Sequence, residues 1–188
     1  MKNFIRLTVL HLTMKPKPKS KSTRLSPTLQ KSRKTEKDVL KQAKLYCAQA
    51  QAALEEGDLE LAAQLALRAR NTIPPDSPYV YPLELLGEIR IEEEEFEAAR
   101  ELFLQAIRQR ERVAPEVFEL GDEGKYLWMG QLSADETSEE WYLKGIEVLQ
   151  RILGQTVESK QKIVHEKTCD VYCSLIELFL TDLWYPSF

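Results

Sequence analysis

Three residues toward the C-terminal end carry ligand or nucleophile chemistry at helical spacing. His165, Cys169 and Cys173 fall at i, i+4 and i+8, on one helix face. Imidazole and thiolate both bind zinc, but a closed zinc site takes four ligands, and no fourth stands at a matching spacing. This trio therefore reads as core packing. Nucleophilic catalysis has no better basis. The other histidine, His11, sits in an apolar N-terminal stretch far from any paired serine or cysteine. Glu93 and Glu94 could form an acid/base pair. They belong to the glutamate run 92–95, on an open turn where nothing would tune their protonation. No glycine-rich phosphate loop is present. The residue types point to a non-enzymatic protein with no metal or cofactor.

Charge says more than catalysis does. The formal charge of −4 conceals two opposite halves. Residues 1–44 hold 13 Lys/Arg against Glu36 and Asp38, a balance of +11. Residues 45–188 hold 13 Lys/Arg against 28 acids, a balance of −15. Such a body repels nucleic-acid phosphates and attracts basic polypeptide. The arm, residues 1–35, is Lys-, Ser- and Pro-rich after Met14 and reads as disordered. Its first 13 residues are apolar but too short to span a bilayer, and no small-residue cleavage site follows them. Met14 opens the basic run, so the start is Met1 or Met14. The "KPKPKSK" stretch is either a nuclear-import or RNA-contacting segment or a solubilising tail. Three cysteines without a pairing pattern fit a reducing compartment.

The elements that position these residues are helical and repeated. Thr35 followed by "EKD" signals a helix start. Ala50 to Gly87 is 37 residues, and so is Ala62 to Ala99. Small residues at Ala50, Gly87 and Gly130, met by Ala62, Ala99 and Gly145, let antiparallel helices approach closely. Phe96 and Phe103 are expected to fill the space between units. Units run about 43–76, 80–115 and 123–155, with a partial unit at 165–184, inside a domain spanning 36–188. No such hairpin buries its apolar face alone, so neighbours must stack. The pattern resembles the tetratricopeptide repeat, most clearly in "LELLGEIR" and "FEAARELFLQAI". The expected fold is all-α, an α-solenoid of antiparallel helix hairpins.

In such an array the first helix of each hairpin lines the concave wall. Helical phase places Lys44, Gln51, Glu84, Glu88, Gln131, Glu177 and Leu180 there, with Trp128 as an apolar anchor. The wall is acidic with apolar patches. A groove for a C-terminal carboxylate would need inward cations, and only Lys44 qualifies. A basic, partly apolar segment is the complementary ligand. The expected client-binding residues are Glu84, Glu88, Gln131, Trp128, Glu177 and Leu180.

A closer resemblance lies in residues 124–153 and 169–184. "KYLWMGQLS", "WYLKG" and "CSLIELFLTDL" resemble elements of the fungal dedicated assembly chaperones of large-subunit ribosomal protein four. That resemblance implies capture of the basic internal extension of the newly made ribosomal protein in an acidic groove, during ribosome biogenesis. It implies a protein of cytoplasm and nucleus, with an import receptor as a partner through the arm, and with no membrane or small-molecule substrate. Family members continue past "TDL" with further repeats, whereas this chain runs into "WYPSF", which reads as a C-terminal truncation. The alternatives are a general repeat scaffold or co-chaperone, and an RNA-binding factor working through the arm.

Overall fold

The structure is a computed structural model that describes residues 27–114, 118–133 and 136–180. It is built of seven helices, and no strand occurs among the described residues. They are α1 (Pro27–Glu55), α2 (Leu59–Thr72), α3 (Tyr81–Glu92), α4 (Phe96–Val113), α5 (Gly124–Gln131), α6 (Glu136–Gln155) and α7 (Glu158–Leu178). Successive pairs form hairpins: α1 with α2, α3 with α4, α5 with α6. Each second helix then packs on the first helix of the next unit, and α1 also touches α3. This is the stacked hairpin array that the 37-residue period predicts. No described helix is long and apolar enough to cross a membrane.

The helix ends follow local chemistry. The Asp58 carboxylate caps α2, accepting from the Leu61 amide at 3.0 Å. The turn before it is made by Gly57 at φ 80°. The matching turn between α3 and α4 has Glu94 at φ 60°, one period later. The left-handed region costs an L-residue about 1–2 kcal/mol, and glycine avoids that cost. Glu94→Gly is therefore expected to stabilise the protein by about 1 kcal/mol, read from urea unfolding. The glutamate run is thus a hairpin turn, with Arg90 paired to both Glu93 and Glu95.

Two boundaries differ from the sequence expectation. Helix α1 begins at Pro27, not near Thr35. Proline fits a first turn because its missing N–H would have no helical acceptor there. The helix thus starts ahead of the position expected from the sequence, and residues 1–26 of the arm lie outside the described residues. The last unit begins at Glu158, seven residues before the expected 165.

The core explains the spacing of small residues. Ala50 and Ala53 of α1 meet Ala62, Ala66 and Ala69 of α2 in one buried cluster. In the second hairpin Gly87 lies against Phe103, where an added Cβ would stand 2.7 Å from the ring. In the third, Gly130 faces the Tyr142 ring and Gly145 faces Leu127 in the same way. Phe103 is fully buried, as expected of a residue filling space between units. Phe96 is not: it opens α4 and is 49% exposed. The trio on α7 is also corrected. His165, Cys169 and Cys173 are all exposed. The packed side of α7 is Val164, Val171, Leu175 and Leu178, and these three residues fall outside that stripe. No group of three or more His, Cys, Asp or Glu able to hold a metal occurs among the described residues.

Candidate functional site

The first helices of the hairpins carry one continuous strip of polar and aromatic side chains. Gln51 of α1 accepts from the Tyr81 hydroxyl of α3 at 3.2 Å. Two turns further along α3, the half-buried Glu88 accepts from the Trp128 indole N–H of α5. Trp128 in turn stacks on Phe103, with ring centroids 6.2 Å apart and planes 16° from parallel. The strip Gln51–Tyr81–Glu88–Trp128 therefore crosses three units, and its order follows from the helical phase of each first helix.

Charge collects around Tyr81. Its phenol is pushed up to about 12 by burial first, then by Glu88 and by further charges that include Glu84 and Glu55. Glu88 itself sits above the usual carboxylate range. Burial is the main cause, the Trp128 hydrogen bond opposes it, and Glu84 adds to it. A carboxylate that is half-desolvated and close to another acid gains from an incoming cation. Nearer the start of α3, Tyr79 contacts the Cys47 thiol and carries Lys44 over its ring at 5.4 Å. Lys44 is the wall cation expected from the sequence.

Glu84 plays another part. It is buried at 8% exposure, and the ammonium of Lys125 donates to it at 3.0 Å. Lys125 is itself 1% exposed and donates also to Asp122 at 2.9 Å. Arg110 reaches Asp122 at 2.7 Å and the Pro78 carbonyl at 3.0 Å. Burial works against the Asp122 carboxylate, yet the Lys125 charge, the Glu119 amide and Arg110 hold it below its ordinary value. Burial pushes Glu84 up, with Lys125 as the main opposing influence. Beside this cluster, Lys167 of α7 pairs with the buried Glu123. The negative charge of Glu84 is thus consumed inside the protein, and the expectation that it faces a client from an open wall is corrected. The signal was present in the sequence. Lys125 shares a helix face with the buried Met129, an improbable place for a cation without a buried acid.

The remaining expected residues are distributed along the later units. Gln131 and Glu177, both exposed, line one crevice of about 370 Å³ between the end of α5, α6 and α7. Leu180 is 65% exposed on the far end. The structure therefore joins Glu88 to Trp128, sets Gln131 and Glu177 along one crevice, withdraws Glu84, and leaves Leu180 exposed among the described residues. Gln51 and Tyr81 lie on the wall that helical phase assigns to the first helices, though not among the expected client-binding residues, and the Lys125 cluster was not expected.

No family model matches this chain. A probable assembly chaperone of rpl4 from Schizosaccharomyces pombe is 32% identical over 125 residues, covering 63% of this chain and 33% of that protein. Among solved structures, residues 1–338 of the assembly chaperone of RpL4 (Acl4) superpose with a TM-score of 0.64 at 25% identity. That match covers 77% of this chain and 57% of the solved one. The chain thus resembles the assembly chaperones of this ribosomal protein, as its "GQLS" and "TDL" elements imply. It spans about a third of the length of the curated relative it matches.

Proposed function

We propose that this chain is a non-enzymatic chaperone that holds a basic segment of large-subunit ribosomal protein four along the strip formed by Gln51, Tyr81, Glu88 and Trp128. The observation that carries the reading is the half-buried Glu88 carboxylate, which accepts from Trp128 and lies near Glu84. A lysine or arginine of the client would relieve its desolvation and repulsion at once, while the indole face receives the aliphatic stem. The resemblance to assembly chaperones of the same ribosomal protein supports the choice of client. The basic arm then serves import with the client, placing the protein in both cytoplasm and nucleus.

The test is capture of the ribosomal protein with and without its basic internal extension. Capture is expected only with the extension, and equal capture of both forms rejects the proposal. Glu88→Lys is expected to weaken binding by about tenfold or more and to flatten its salt dependence. The pH dependence has a definite sign. The Glu88 carboxyl is raised in the free protein and falls when a client cation arrives. Affinity is therefore full above the free-state value and declines as pH drops through it, at a higher pH than an ordinary carboxylate would give. Glu88→Gln should remove that decline, as measured by calorimetry across pH 7 to about 5.

A further inference from the structure

The crevice between α5, α6 and α7 has an unusual polar lining. Three serines contribute to it, and each has already spent its only hydroxyl proton. Ser133 donates to the Met129 carbonyl at 2.8 Å, Ser138 to the Gly130 carbonyl at 2.5 Å, and Ser174 to the Asp170 carbonyl at 3.2 Å. A carbonyl oxygen can only accept, so in all three bonds the serine must be the donor. What each Oγ offers to anything further is lone pairs alone. The Glu177 carboxylate lines the same space and is likewise an acceptor. Ser138 and Tyr142 are buried, so the crevice floor is fixed by packing rather than by mobile surface groups.

The Gln131 carboxamide and the Tyr142 hydroxyl complete the polar lining, and each can accept as well as donate. Every polar side chain of this space can therefore accept, and a positively charged ligand rich in donors suits it. We infer that this crevice is a receptor for an arginine side chain, whose planar guanidinium presents five N–H groups and a positive charge to the serine oxygens and Glu177. Lysine is also donor-only, but its ammonium is a compact, strongly hydrated point that reaches fewer separated acceptors. The volume of about 370 Å³ admits a guanidinium with its stem. The electrostatics agree. Burial first, then the nearby Glu177 charge, keeps the Tyr142 phenol protonated. The inference deepens the proposed function, since it assumes that reading for the source of the arginine, and it adds a second anchoring point beyond Glu88.

The experiment needs no ribosomal protein. Single-residue probes of arginine, citrulline and lysine, acetylated and amidated, are titrated into the isotopically labelled full chain and followed by amide NMR. Citrulline keeps the shape of arginine but is neutral and carries an acceptor oxygen. The arginine probe is expected to shift the Ser133, Ser138 and Ser174 amides, with citrulline at least about tenfold weaker and lysine in between. Glu177→Gln and Ser174→Ala, both at accessible positions, should each weaken the arginine probe while the rest of the spectrum stays in place. Equal binding of arginine and citrulline overturns the inference. So does equal binding of lysine, shifts confined to residues 92–95, or indifference to Glu177→Gln. If the arginine probe seats here while the ribosomal protein is not captured, only the proposed function falls.

Discussion

Lys125→Ala is expected to destabilise the protein by about 3–5 kcal/mol, a large share of the stability of an ordinary domain. The loss is not mainly one of contacts. Lys125 is the cation between Glu84 and Asp122, and all three side chains are withdrawn from water. Removing it strands the Glu84 carboxylate, while Asp122 keeps Arg110. The stranded carboxyl moves further above its ordinary value. A carboxyl raised in the folded state costs stability above that value and ceases to cost it below. The variant should therefore regain stability as pH falls from 7 toward 5, which a simple packing defect would not do. Pairing Lys125→Met with Glu84→Leu should return most of the loss, because it removes both charges together. Urea unfolding at two pH values measures all of this. A Lys125→Ala variant that unfolds like the parent would show the buried pair to be inconsequential.

Phe103→Ala is the second large effect, again about 3–5 kcal/mol. The ring is fully buried, presses on Gly87 and supports the Trp128 plane. Its coupling to Gly87 is the sharper test. Gly87→Ala alone should cost about 1–3 kcal/mol, since the new methyl meets the ring well inside contact distance. In the Phe103→Ala background the same change should be neutral or mildly favourable, because alanine is the better helix former. Additivity of the two changes would contradict the packing described. Because Trp128 leans on Phe103 and donates to Glu88, Phe103→Ala should also loosen the proposed client strip.

The array was legible because its period is written in residues that have no freedom. Ala50, Ala62, Gly87 and Ala99 repeat at 37 because larger side chains there would push helices apart. Helical phase likewise brought Glu88 beside Trp128 and Gln131 beside Glu177. It failed for Glu84, which occupies the expected face but meets a lysine 41 residues away in the next unit. Phase says which way a side chain points from its own helix. It does not say what the neighbouring unit places there. The α7 trio failed for a related reason. His165, Cys169 and Cys173 share a face, but the buried stripe of α7 runs through Val164, Val171 and Leu175 instead.

The charged bridges among Glu84, Arg110, Asp122, Lys125, Glu123 and Lys167 bear on how the molecule comes apart. In a plain hairpin array each module holds only its neighbour, so melting creeps inward from either tip. Here α3, α4, α5 and α7 are riveted by groups that cannot be separated one at a time without stranding an ion. Those helices should let go together, in one concerted event, while the alanine-lined opening hairpin is left to fray on its own.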